Sequence, residues 1–294
     1  MNEIQLARIL DKARSLVEEE KHLHAIQVYH RLLREEPDFL PAYVELASLY
    51  AELRQFPAII RLLNRALEYS PGNGEIVFLL GSYHMQMEEY DTALAYFKRL
   101  AERKFPQVHF NMGVAYSYKN NVKNAEEQFR LTMKLDPAFP KINESLGELL
   151  IKREAYAEAI GFLKRGITVD PYSSVNHYLL GLAYSRLYEW KNAYAEFILA
   201  VDMDPNEAMS WLMCGESLHH LERDEEAEQY LRKSIELDPH CADAFVLLGQ
   251  VLAARGDATK AIESVKKALT LDPQHGQAKD LRWKLQQKSR QHSQ

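Results

Sequence analysis

Two cysteines, Cys214 and Cys241, are all the chain contains, and they do not fall in C-x-x-C spacing. A disulfide framework and the common zinc sets are therefore not indicated. No run approaches the roughly 18 apolar residues of a bilayer span. The first twenty residues, MNEIQLARILDKARSLVEEE, carry charge throughout, without the apolar core or small-residue cleavage site of a secretory leader. No Lys/Arg block occurs and the formal net charge is −6, so the basic stripe that displaces counterions from nucleic acid is missing. Catalytic signatures are missing as well: no G-x-S-x-G, no Gly-rich phosphate loop and no H-E-x-x-H. Paired carboxylates such as Glu126-Glu127 and Glu225-Glu226 read as solvated helix faces. The expectation is a cytoplasmic protein with no enzymatic activity, no cofactor, no metal, no nucleic-acid partner and no membrane insertion.

What the chain does have is a period. Pro137, Pro171, Pro205, Pro239 and Pro273 stand 34 residues apart, each preceded by Asp. Gly113, Gly147, Gly181, Gly215 and Gly249 keep the same spacing, and Ala125, Ala159, Ala193, Ala227 and Ala261 follow them by twelve. Three interlocked series at one period define a tandem repeat. Backwards, Pro71 and Pro37 continue the proline series, while Ala13, Ala47 and Gly81 hold the first small position and Ala25 and Ala93 the second. Ile59 interrupts that second series, and two residues are lost between Gly81 and Gly113. Eight repeats result: 6–39, 40–73, 74–105, 106–139, 140–173, 174–207, 208–241 and 242–275. Residues 276–294 remain, with Ala278, Leu281 and Leu285 on one stripe. They read as a capping helix, which a solenoid needs to cover its last apolar face, followed by a frayed end.

Inside each repeat apolar residues recur at helical spacing. In the sixth, Leu180, Gly181 and Tyr184 share one stripe, and Ala193, Phe197, Ala200 and Val201 share another after a break at 187–189. Two helices of about twelve residues form one hairpin, and Asp-Pro ends it because proline cannot continue a helix and restricts the residue before it. A mid-helix glycine costs about 1 kcal/mol against alanine, so glycine recurring there implies close helix crossing. Gly166, standing where Ala66, Ala200 and Ala268 stand elsewhere, fits that need; Gly161 does not and marks a soft spot.

Phe110, Met112, Gly113, Tyr116, Ala125, Phe129 and Pro137 in the fourth repeat, and Tyr178, Leu180, Gly181, Tyr184, Ala193, Phe197 and Pro205 in the sixth, resemble the W-x2-L-G-x2-Y…A-x3-F…P pattern of tetratricopeptide repeats. Trp211, three residues before Cys214-Gly215, supplies the aromatic start directly. The resemblance covers about 270 of the 294 residues. It implies an all-α right-handed superhelix of antiparallel helix pairs, first helices lining a concave groove and second helices outside. It also implies protein binding, without naming a partner.

Counting places from the start of each repeat, the resemblance puts groove-facing residues at places 2, 5, 9, 12 and 13. Phe78, Ser82, Met85, Phe110, Asn111, Val114 and Tyr118 are the candidates in repeats three and four, and Glu148 in repeat five. Tyr178, Leu182, Arg186, Met209, Leu212, Glu216, His219 and His220 are those in repeats six and seven. Apolar side chains at solvent-facing places are the informative sign, because core burial does not account for them. The expected occupant is a peptide-like segment of another protein, carrying apolar anchors and some basic residues. Self-association into a homo-oligomer is the alternative. Glu216 and His220 share a helix face at i, i+4, one or two ligands short of a metal set; a polar groove wall is the plainer reading. His109 and His177 align with Trp211 and Phe245 and read as half-buried packing residues. Neither the chaperone-type carboxylate clamp nor the asparagine ladder of the O-GlcNAc transferase is present; Asn111 alone stands at the ladder's place.

Overall fold

The computed structural model describes residues 1–291, with side chains through 287. It is all-α among the described residues, in two compact units that meet between Phe139 and Pro140. The first unit contains α1 (Glu3–Glu18), α2 (His22–Glu35), α3 (Leu40–Glu52), α4 (Phe56–Tyr69), α5 (Gly74–Gln86), α6 (Tyr90–Lys98), α7 (Pro106–Tyr118) and α8 (Val122–Leu135). The second contains α9 (Ile142–Lys152), α10 (Tyr156–Val169), α11 (Ser174–Arg186), α12 (Trp190–Met203), α13 (Ala208–His220), α14 (Asp224–Leu237), α15 (Ala242–Ala254), α16 (Ala258–Leu271) and α17 (Gly276–Gln291). Within each unit the chain runs as successive antiparallel hairpins, each packed on the next. The frayed end expected beyond α17 lies outside the described residues.

The turn inside each hairpin uses one device. Glu20, Arg54, Glu88, Asn120, Glu154, Tyr188, Glu222 and Gly256 all take positive φ. The next residue then donates its N–H five residues back, as Gln55 does to Tyr50 at 2.8 Å, Ala155 to Leu150 at 2.8 Å and Arg223 to Leu218 at 2.9 Å. That is the 6→1 bond of a Schellman close, which satisfies a carbonyl the helix end leaves orphaned. Only Gly256 is a glycine; elsewhere an ordinary side chain accepts the left-handed backbone.

Between repeats the aspartate does more than precede proline. Its carboxylate accepts from the backbone N–H two residues on: Asp136 from Ala138 (3.0 Å), Asp170 from Tyr172 (3.2 Å), Asp204 from Asn206 (3.2 Å), Asp238 from His240 (2.9 Å) and Asp272 from Gln274 (2.9 Å). These are Asx turns. The carbonyl of the proline is used in turn by the following hairpin. Tyr43 Oη donates to the Pro37 carbonyl at 2.9 Å and Trp211 Nε1 to that of Pro205 at 2.9 Å.

The recurrent glycines face the second helix of their own hairpin. A Cβ on Gly113 would stand 2.5 Å from the Phe129 ring, on Gly147 2.5 Å from Leu163, on Gly181 2.7 Å from Phe197 and on Gly215 2.6 Å from Leu231. The side chain that needs the room thus sits sixteen residues downstream, not beside the glycine in sequence. Gly166 is cramped by the Asn176 amide, whose Oδ1 lies 3.0 Å from where a Cβ would be, whereas Gly161 faces open space. The alanines at the second small position, from Ala25 to Ala261, are fully buried, and Ile59 substitutes for one of them without exposure.

Two places depart from regularity. The two residues missing from repeat three come out of α6, nine residues long where the other second helices have fourteen. A 3-10 turn over Ala101–Arg103 and a left-handed Lys104 close the gap, and Arg99 and Arg103 tie it to the carbonyls of Pro71 and Gly72, each at 3.1 Å. The first helix of repeat five begins at Ile142 after a left-handed Lys141, two residues past the expected Pro140. At the end, α17 buries Ala278 and Leu285 against α15 and α16 and leaves Trp283 61% exposed.

Candidate partner-binding wall

In the first unit the apolar groove candidates are partly core. Phe78 lies 5.8 Å, centroid to centroid, from Phe97, and Phe110 sits between Phe129 (5.6 Å) and Phe139 (4.9 Å). Met85 packs against the same buried cluster as Phe78, and Ser82 and Val114 are half-buried. Asn111 is engaged by Gln107, whose Nε2 donates to its Oδ1 at 3.0 Å. Tyr118 is different: it is 67% exposed and stacks nearly parallel on Tyr90 at 5.0 Å. Further along, Arg14, Val44, Ser48 and Glu52 line a separate cavity of about 370 Å³. Arg14 is held there by Glu45 at 2.6 Å, and Tyr29 Oη donates to the same carboxylate at 3.0 Å.

The second unit gathers its candidates into one place. Tyr178, Leu182 and Arg186 from α11, and Met209, Leu212, Glu216 and His220 from α13, all line a cavity of about 610 Å³. Glu148 does not; it is exposed and paired with Lys152 at 2.7 Å. His219 does not either, because its Nδ1 turns to Asp224 at 2.5 Å. Leu212, expected to face solvent, is only 6% exposed and belongs to the core, touching the cavity with its edge. Tyr178 stands 5.8 Å from the buried Phe197, the same relation Phe78 and Phe110 have to their own second helices.

Several lining residues carried no site signal in sequence. Trp190, which opens α12, stacks on His220 at 3.9 Å and 10°. This repeats the Tyr90–Tyr118 arrangement: an aromatic opening one hairpin's second helix carries a ring at the end of the next hairpin's first helix. Tyr188, the left-handed turn residue, is 80% exposed at the rim. Ser185, Met213, Asp243, Val246, Leu247 and Gln250, with Gln277 of α17, complete the lining.

The electrostatics of this cavity are lopsided. Burial holds the Glu216 carboxyl above its usual range, with Arg186 pulling the other way. Burial, helped by His219, holds His220 below the usual imidazole range. Glu216 has no ion-pair partner among the described residues, and Asp243 is shared with His275 at 2.9 Å. A half-buried carboxylate without a direct partner suits a cationic or hydrogen-bond-donating group. Glu216 and His220 are not joined by a third ligand, and no group of three metal-binding side chains occurs among the described residues. His109 and His177 are more deeply buried than expected: His109 Nδ1 meets Gln128 Oε1 at 2.9 Å and His177 Nδ1 meets Glu196 Oε2 at 2.7 Å. Each ties the first helix of its hairpin to the second.

Comparison with known families decides the class. The tetratricopeptide repeat model matches residues 44–109, 178–240 and 225–275, and a second model of the same description matches 106–139. This chain is a tetratricopeptide repeat protein. It is 28% identical over 124 residues to the general transcriptional corepressor ssn6 of Schizosaccharomyces pombe, covering 41% of this chain and 11% of that one. It is 26% identical over 182 residues to the BBSome complex member BBS4 of Bos taurus, covering 61% and 35% respectively. The chain thus spans well under half the length of either relative. Among solved structures, the Cut9–Hcn1 hetero-tetramer of the APC/C superposes with a TM-score of 0.64 at 17% identity, over 94% of this chain and 55% of that one. That likeness shows the α–α superhelical fold of the tetratricopeptide family. No helix among the described residues is long and apolar enough to cross a membrane.

Proposed function

We propose that this tetratricopeptide repeat protein is a non-catalytic, cytoplasmic scaffold that holds a peptide-like segment of another protein against the first-helix wall of its second unit. One observation carries the reading: residues from α11, α13, α15 and α17 converge on a cavity that sets apolar side chains such as Leu182 and Met209 beside a Glu216 without an ion-pair partner among the described residues. Met209 and Leu182 offer apolar contact, and Glu216 with Asp243 favours a Lys or Arg beside the apolar anchors. The BBSome complex member to which the chain is similar belongs to a multi-subunit assembly, which is in keeping with such a role.

Tyr178 and Phe110 are poor probes, since each braces a buried phenylalanine and a charge there would strike the core. Met209, 39% exposed, is the better one. Peptides selected by phage display on the whole chain should be rich in apolar residues flanked by Lys or Arg, and Met209→Glu should weaken them tenfold or more with helicity unchanged. Selected peptides indifferent to Met209→Glu would reject the wall as the binding surface.

Self-association is a second reading, favoured by Val169, Tyr172 and Val175, which lie within one short stretch and are all exposed, Tyr172 to 83%. A sedimentation mass that stays monomeric across a concentration series removes it.

A further inference from the structure

A second surface, on the outer helices of the first unit, has the opposite character. On α2, Gln27, His30, Arg31 and Arg34 follow the i, i+3, i+4, i+7 spacing of one helix stripe. With Arg65 of α4 they line a cavity of about 500 Å³ that contains no carboxylate in its lining. Arg65 Nη2 reaches the Leu33 carbonyl at 3.4 Å, which fixes the two helices' stripes to the same seam. Arg61, one turn before Arg65, acts on Tyr50, whose hydroxyl meets His30 Nε2 at 3.0 Å.

None of Arg31, Arg34, Arg61 and Arg65 makes an ion pair among the described residues. Several arginines of the second unit are treated otherwise: Arg223 is paired with Glu226, Arg232 with Glu228, and Arg255 with Glu225 and Glu228. The charge of the seam is therefore left standing in a chain whose formal net charge is −6. His30 registers it: burial first, then Arg34 and Arg65, hold its imidazole below the usual range. Uncompensated like charges on one face oppose folding slightly and are useful only when something anionic meets them.

We propose that the α2–α4 seam docks an acidic, carboxylate-bearing segment of a partner protein. The layout selects this occupant. The α2 stripe covers seven residue steps, about 10 Å at 1.5 Å per residue, with Arg31 and Arg34 about one turn apart on it and Arg65 across the seam on α4. A row of carboxylates matches a row of forked donors, whereas a lone phosphate would use one or two of them. A nucleic-acid strand asks for a longer basic track and open aromatic platforms; the ring in this cluster, Tyr50, is buried.

The test uses the whole chain and a fluorescein-labelled synthetic peptide with Glu at alternate positions, read by anisotropy. Its Gln counterpart, a single-stranded oligothymidylate and inorganic phosphate are the comparison probes. The Glu peptide should bind at least about tenfold more tightly than the Gln peptide, and the binding should weaken as salt rises. Arg31→Gln with Arg34→Gln should lower it about tenfold or more. Both residues are exposed and make no ion pair among the described residues, so circular dichroism should not change. Met209→Glu should leave this binding intact, which separates the seam from the wall of the second unit. Equal binding of the Glu and Gln peptides, retention of binding by the double variant, tighter binding of the oligothymidylate, or displacement by equimolar phosphate would each overturn the assignment.

Discussion

Exchanging one hydrogen for a methyl group at Gly181 and at Gly161 should move stability in opposite directions. Both glycines are helical, so alanine gains about 1 kcal/mol of propensity at either one. At Gly161 nothing lies within 4 Å of the new Cβ, and the gain is kept. At Gly181 the Cβ would be 2.7 Å from two carbons of the Phe197 ring and 3.0 Å from a third, where carbon pairs prefer about 3.5–4.0 Å. Phe197 is fully buried and braced by Tyr178, so the ring cannot swing clear. Overpacking of this kind costs about 1–3 kcal/mol. Less the propensity gain, Gly181→Ala should destabilise by about 0–2 kcal/mol, placing it about 1–3 kcal/mol below Gly161→Ala. Urea denaturation followed by circular dichroism measures both against wild type, and comparable m-values license comparing midpoints. Because an array of stacked hairpins need not unfold in one step, hydrogen exchange on α11 and α12 should show the same loss locally. Two variants stabilised alike would mean that Phe197 is not the reason for glycine at 181.

Glu216→Gln should raise the thermal midpoint at pH 7. Burial holds the folded carboxyl above its unfolded value, so ionisation favours the unfolded chain as pH rises through that window. The gain should vanish below about pH 4, where the carboxyl is protonated in both states, and its persistence there would refute the cause. Asn73→Ala should cost about 1 kcal/mol, since Asn73 Oδ1 accepts from Ile76 N at 2.9 Å and caps α5; Gly in place of Ala should cost only a few tenths. Cys214 is buried and its thiol is pushed up to about 12, while Cys241 is half-buried and raised less far. Iodoacetamide at pH 8 should therefore label Cys241 first, with Cys214 reacting only on unfolding; peptide mass mapping reads the order, and early labelling of Cys214 would contradict its burial.

The hairpin array was legible in the sequence because its causes are local. Proline stops a helix wherever it falls, apolar spacing of 3.6 residues declares a helix, and a glycine repeated mid-helix at a cost of stability announces close packing. The tertiary structure alone decided what those signals were for. Apart from Asn120 and Gly256, the left-handed closes fall on Glu, Arg and Tyr, residues with no strong preference for that backbone, so composition gave little sign of them. Gly181 makes room for Phe197, chosen by the crossing of two helices and not by adjacency. Leu212 went to the core and His219 to Asp224, because one rotation of a helix by a single residue exchanges wall for interior. Trp190 met His220, and Arg65 met Arg34, across about thirty residues of chain. Spacing along the sequence records which residues share a helix face; which neighbour that face meets depends on distances between helices, and those exist only once the hairpins are stacked.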